Sequence, residues 1–304
     1  MKKYPLILTF MFASLLLQAQ TDTTYWQKSL SGGINFNQTS FSNWSGGGIN
    51  SVAFGGILGA RALYTKGNLS WDNTADLQLG YVKQGGVNRK ATDQIFLNSV
   101  LGRKIAPKWD LFASATFNTF FARGFVYDAD KIPTNTSQFL ISRFLAPGQL
   151  SIAWGVAYKP NDWFSLRVSP FAPKFTFLND QSVRHRIVNG RYVADPSATT
   201  FGVEAGKSVR TEWLALQIQA ALNRNLSENV NLKVNYLGFA NYKTLAADGM
   251  DHRLEAVIAA KVSKYISTTF GIIALYDKDY NENWQTQQAL TIGLLYNVST
   301  FRKK

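Results

Sequence analysis

The chain has 304 residues, with 32 Lys and Arg against 19 Asp and Glu, two histidines and no cysteine. The missing cysteine excludes a disulfide framework, and with so few histidines there is little from which to build a transition-metal centre, so no cofactor is expected. A net formal charge of +13 suits anionic lipid or anionic solutes, but the basic residues are dispersed and form no block of the kind that marks a nucleic-acid patch, so nucleic acid is not an expected partner.

Residues 1–19 begin with Lys2 and Lys3, continue as PLILTFMFASLLL and end in QAQ with Ala19 suited to precede a cleavage site. This is the pattern of a secretory signal peptide, leaving 20–304 as one domain that remains basic after removal of the two lysines. No cysteine stands at the cleavage site to carry a lipid anchor. Elsewhere no stretch approaches the roughly 18 consecutive apolar residues of a membrane helix, so a membrane-embedded mature chain must be a β-barrel.

In chain order, Trp26 precedes a first strand at about 30–37, and FSNWSGGGINS at 41–51 turns into the second. There Val52, Phe54, Leu58, Ala60, Ala62 and Tyr64 share a face and Arg61 takes the other. TKG makes a tight turn into the third strand, where Leu69, Trp71, Ala75, Leu77, Leu79 and Tyr81 alternate with Ser70, Asp72, Thr74, Asp76 and Gln78. Two carboxylates on one face cannot meet lipid, so that face points to a watery or paired interior. A polar loop at 83–93 leads to strand four, APKW at 106–109 turns into strand five, and a long irregular stretch at 122–149 follows.

LSIAWGVAYKPNDWFSLRVSP at 150–170 is a hairpin with one greasy face, strands six and seven, joined by the turn residues KPND. Pro170 and Pro173 interrupt the continuation, and the apolar face changes register between Val168 and Phe175 as it would at a bulge. A second long, basic loop spans 179–199, and strand eight is expected from about 201 to 226. SEN and SKY close two more short turns among strands nine, ten and eleven, and a last alternating run carries Leu290, Ile292, Leu294, Tyr296 and Val298.

Short turns and longer joins alternate, as in bacterial outer-membrane barrels with short periplasmic turns and long external loops. The expected fold is therefore all-β, an antiparallel transmembrane β-barrel of about twelve strands with both termini periplasmic. Trp71, Trp109, Trp163 and Tyr265 lie near the short turns and Tyr81, Phe121, Phe177, Tyr242 and Trp284 near the long joins, forming two aromatic girdles. A soluble sandwich would also alternate, but it would need the aromatic-rich faces as its core and would leave the loop asymmetry without a cause.

The barrel geometry sends one set of charges into the lumen: Arg61, Lys104, Arg167, Lys174, Lys233, Arg253 and Lys261 with Asp72, Asp76, Asp110, Glu204, Asp251 and Glu255. The signs are mixed, so the lumen should be laced with ion pairs and weakly selective, and narrower still if 122–149 folds inward. Arg184, Arg186 and Arg191, with Arg89, Lys90 and Arg123, gather on the expected external side, where they could meet lipopolysaccharide phosphates. His252 falls on the outward face of strand ten and His185 between two loop arginines, neither placed for catalysis. DKDYNEN at 277–283 lacks the central Gly and terminal Glu of a calcium loop, and Gly46 to Gly48 lack the Lys-Ser/Thr of a phosphate loop.

FSNWSGGGINS, FLAPGQLSIAWGVAYKPNDWFSLRVSPFAPKFTF, NVNLKVNYLGFANY and IIALYDKDYNENWQTQQALTIGLLYNV together resemble a Bacteroidetes outer-membrane barrel family, the domain of unknown function 3078. The resemblance implies location in the cell outer membrane and barrel architecture, and it brings no catalytic or binding residues. Two functions are expected from the residues, a narrow channel for small solutes or a structural or binding barrel whose loops contact lipopolysaccharide or partner proteins. A hydrolase is disfavoured because no Ser stands near His252 to form a nucleophilic pair.

Overall fold

In the computed structural model, residues 25–39, 51–84, 86–134, 136–244, 249–263, 266–278 and 281–300 are described. The signal peptide, the glycine run at 46–48 and Tyr265 lie outside them. The alternating segments form β1 (Trp26–Thr39), β2 (Ser51–Lys66), β3 (Leu69–Gln84), β4 (Val87–Ala106), β5 (Trp109–Thr119) and β6 (Gly148–Asn161). They continue as β7 (Phe164–Phe171, resumed at Lys174–Phe177), β8 (Val209–Glu212, resumed at Ala215–Asn225), β9 (Val230–Asn241), β10 (Met250–Lys261), β11 (Ile266–Asp277) and β12 (Asn281–Ser299).

Each strand pairs antiparallel with its neighbours in sequence, and β1 closes on β12, from Ser29 opposite Ser299 to Ile34 opposite Leu294. The result is the expected 12-strand ring. The interruptions in β7 and β8 do not break it. Phe171 opposes Trp154 and Lys174 opposes Ser151 in one register, while Pro173, which has no N–H to give, still accepts from Ile152 N at 3.0 Å.

The expected bulge is present, with four residues of β7 from Val168 to Phe171 set against three of β6 from Val156 to Trp154. Ser169, 1% exposed, fills it: Trp154 N donates to its Oγ at 3.1 Å, and that hydroxyl lies 2.7 Å from both Trp154 O and Phe171 O. Gly155 is needed opposite, since a Cβ there would stand 2.0 Å from Val168 O.

Phe36, Phe54, Leu58, Trp71, Leu97, Leu101, Trp154, Val156, Ile258, Phe270, Leu290 and Ile292 point away from the barrel axis and are exposed. On a closed barrel such a continuous apolar surface is the lipid face. The start of β1 and the end of β12 lie at the short-turn end, where Trp26 opposes Tyr64 and Thr300 N donates to Lys28 O at 2.8 Å. A girdle collects there, with Trp26 5.3 Å from Tyr64 and 5.8 Å from Trp71, and Trp109 4.8 Å from Tyr158. At the other end Trp284 stacks on His252 at 5.9 Å and lies 5.5 Å from Tyr276.

Three joins differ from expectation. The polar run 83–93 is not a loop; β3 and β4 stay paired to Gln84 opposite Val87, because backbone ladders need no apolar side chains beyond the lipid band. Likewise β12 begins at Asn281, within the stretch read as a polar loop. Residues 201–208 belong to the join before β8, so that strand starts at Val209.

The two longest joins, 120–147 and 178–208, fold together into a cap. Ala146, Leu178, Val183 and Val203 form its buried core, with Leu140 and Phe201 against it. Tyr192 N donates to Lys131 O at 2.7 Å and Arg191 to Ile132 O at 2.8 Å, tying one join to the other. A hairpin of His185–Val188 and Arg191–Ala194 turns at Asn189 and Gly190, whose φ values of 49° and 77° fit the Asn-Gly preference of a tight hairpin turn. Arg143 bonds Asp180, whose carboxyl is held below the usual carboxylate range chiefly by hydrogen bonds from Ser182, partial burial acting the other way.

Candidate functional site

The lumen has two unlike walls. On β4 to β9 the inward face carries Val100, Phe112, Ala153, Ala157, Ala172, Ala215 and Phe239, all buried and in mutual contact. Phe112 opposes Gly155 in the β5–β6 ladder, and the neighbouring alanines leave the room its ring occupies. Two cations lie over these rings, the Arg167 guanidinium 5.9 Å from the centre of Phe112 and Lys174 Nζ 4.4 Å from that of Phe239. On the opposite side the inward face is open: Ile57 points into the lumen from β2 and is 46% exposed.

The lumen charges pair in two layers. Nearer the short turns, Arg61 holds Asp72 with two bonds, of 2.9 and 2.7 Å, and Lys159 holds Asp110 at 2.6 Å. Arg167 donates to Gln219 at 3.3 Å in the same layer. Toward the long joins, Lys174 lies 2.6 Å from Asp251 and 3.4 Å from Glu212, which also takes Arg210 at 3.3 Å and Asn241 Nδ2 at 2.9 Å. Arg253 faces Glu255 at 3.9 Å. Charges confined between barrel walls are costly alone, and this is the interleaving that lowers the cost.

Of the lumen charges read from sequence, Arg61, Asp72, Asp110, Arg167, Lys174, Asp251, Arg253 and Glu255 enter these layers. Asp76 lies beside Gly59, while Lys104, Lys233 and Lys261 are exposed toward the short-turn end. Glu204 is a correction. It sits in the cap, exposed, 2.7 Å from Lys207, because strand eight begins later than its sequence suggests. The same misplacement hid Arg210 and Glu212, whose alternation with Val209 and Thr211 is a short strand signal behind a polar loop. Lys159 was hidden by the turn chemistry of KPND, although the strand runs on to Asn161.

The three loop arginines divide. Arg184, 2% exposed, is no surface contact: its guanidinium donates to Gln181 and to the carbonyls of Ala198, Val203, Glu204 and Lys207, at 2.7 to 2.9 Å for the carbonyls. A guanidinium has five donors, and burial is tolerable only when they are taken, so Arg184 organises the cap from within. Arg186 is exposed and 3.3 Å from Asp195, whereas Arg191 is committed to Ile132 O. Arg89 lies over the Tyr127 ring, Lys90 pairs with Asp93 at 2.8 Å, and Arg123 is exposed. His185 Nδ1 is 2.8 Å from Val183 O, and His252 Nδ1 is 2.8 Å from the Tyr236 hydroxyl on the outward face.

This lipid-faced ring with a polar lumen is the setting in which likeness to known proteins has meaning. Residues 36–125 match the family described as "Protein of unknown function (DUF3078)". That is the family the sequence motifs resemble, and the DUF3078 match covers β2 to β5, the cleanest alternation in the barrel. Among solved structures, an outer membrane channel from Pseudomonas putida F1 is 10% identical with a TM-score of 0.39, covering 93% of this chain and 98% of that one. The translocator domain of the autotransporter NalP from Neisseria meningitidis is 12% identical with a TM-score of 0.35, covering 94% and 92%. The CymD monoaromatic hydrocarbon channel is 11% identical with a TM-score of 0.30, covering 91% and 88%. No curated protein matches the chain.

Proposed function

We propose that the protein is an outer-membrane β-barrel that passes small solutes through a narrow, weakly selective lumen. Residues 1–19 direct export, 20–304 form the barrel, and the short turns and both chain ends face the periplasm. The observation that carries the channel reading is the open wall, where an inward side chain such as Ile57 is in contact with solvent although its neighbours close the ring. The paired, mixed-sign charges favour weak selectivity over a one-signed ring. The protein is not an enzyme on this reading, which is supported by His252 standing on the outward face against Tyr236 and Trp284 and by His185 lying in the cap among aromatic rings.

The test is conductance of refolded protein in planar bilayers. The expected result is a small conductance with a cation-to-anion permeability ratio near unity, raised by deleting part of 122–149. A large, steeply anion-selective conductance would overturn the charge assignment. A second reading, a binding barrel, is favoured by the packed cap, and it gains if the protein does not conduct. Its surface is then the outward side of the cap with the exposed Arg186 and Arg123 placed to meet lipopolysaccharide phosphates, and Arg184 has no part in it.

A further inference from the structure

Lys174 stands where four neighbouring strands converge. It points into the lumen from β7 and is 7% exposed, with Asp251 of β10 at 2.6 Å, Glu212 of β8 at 3.4 Å and the Phe239 ring of β9 at 4.4 Å from Nζ. Asp277, buried at the end of β11, adds a third nearby carboxylate. An ammonium has donors and no acceptor, so carboxylates on two sides and an aromatic face on another form its natural cage. The lysine fills this cage loosely on one side: Glu212 is 7% exposed, and its Oε2, the atom 3.4 Å from Lys174 Nζ, is buried with that ion pair and no hydrogen bond. Among the described residues no group of three His, Cys, Asp or Glu is placed to hold a metal ion, which sets this arrangement apart from a cation chelate.

We propose that the Asp251, Glu212 and Phe239 cage is a recognition site for primary ammonium groups, occupied at rest by the protein's own Lys174. The lysine is a tethered occupant on a flexible stem, able to swing out while the strands stay paired. A small cationic amine entering from the long-loop end would compete for the same carboxylates. The recognition site needs no conduction; the further step, that such amines are solutes of the lumen, rests on the channel reading above.

Lys174→Ala removes the atoms that propylammonium supplies. The unfolding midpoint of refolded K174A is expected to rise with propylammonium chloride, in proportion to the logarithm of concentration, as for a ligand bound to the folded state alone. Potassium chloride at equal ionic strength and bulky tetrapropylammonium should give no such rise, and the wild type, whose own lysine competes for the cage, should respond only at far higher propylammonium concentrations. If K174A refolds only in the presence of propylammonium, that rescue is the same result read as yield. A midpoint or yield indifferent to propylammonium, or raised equally by potassium chloride, overturns the site. In bilayers the variant should become more cation selective and be blocked by propylammonium. Stabilisation by propylammonium with no current from either protein would keep the site and remove the channel.

Discussion

The two walls of this barrel are built from the same alternating pattern yet do opposite things with their inward faces. From β4 to β9 the inward residues pack as a half-core of Val100, alanines and two phenylalanines, whereas on β2 and β3 the inward side chains are at most half-buried and Ile57 is exposed. Outward, the walls are alike, because lipid imposes one requirement on both. The difference shows that in a barrel of intermediate size the lumen is not a uniform tube. One side can be used for stability and the other left for passage.

The sharpest way to break the comparison is to violate what the walls share. Val156→Arg, on the lipid face of the packed wall, should cost about 2–4 kcal/mol of folding stability in bilayers or detergent, and Ile258→Arg on the other wall should lose a similar amount. Thr269→Arg, inward on the same wall as Ile258, should cost far less. Heat-modifiable gel migration after urea titration measures all of these, and equal losses for inward and outward sites would refute the facing assignment.

Next come paired glycine substitutions, which separate the walls. Gly155→Ala drives a Cβ to 2.0 Å from Val168 O and should cost about 1–3 kcal/mol. Gly271→Ala, whose Cβ would meet only Val257 Cγ2 at 3.8 Å, should be neutral or slightly stabilising. The same urea titration gives both. Ser169→Ala is gentler: it leaves Trp154 N without its partner in the bulge and should cost on the order of 1 kcal/mol, and a neutral result would mean the hydroxyl is incidental.

The smallest effect concerns the cap. The Asp180 carboxyl is depressed in the folded chain, so its contribution is present above the unfolded carboxylate range and is lost as pH falls through the folded value. Protease cleavage within 120–147 and 178–208 should therefore stay slow at neutral pH and quicken below about pH 4, while the barrel band remains intact. Cleavage independent of pH would remove Asp180 from the account.

Much of the barrel was legible because lipid and lumen enforce a period of two that any reader can count, as in the run from Leu69 to Tyr81. The bulge was legible too, since two prolines cannot sit in an uninterrupted ladder. The cap was not, for its order comes from contacts between joins far apart in sequence. Arg184 looked like a surface cation, and only the fold brings four carbonyls around it. The Asn-Gly pair at 189–190 was a visible hairpin signal that the basic character of its surroundings obscured. Arg210 and Glu212 were missed for a related reason, since a strand that begins inside a polar stretch gives no apolar onset to mark it.

The β3–β4 hairpin is longer than crossing requires. β4 has 20 residues, where roughly 9–11 suffice for a tilted transmembrane strand, so nearly half of it stands clear of the lipid. Its tip includes Gly86, exposed and with open space around it. Such a projecting stalk is a natural display platform, and a short epitope inserted beside Gly86 should leave folding undisturbed while remaining within reach of antibodies too large to pass the membrane. Staining of intact cells would then report directly which way the barrel is mounted.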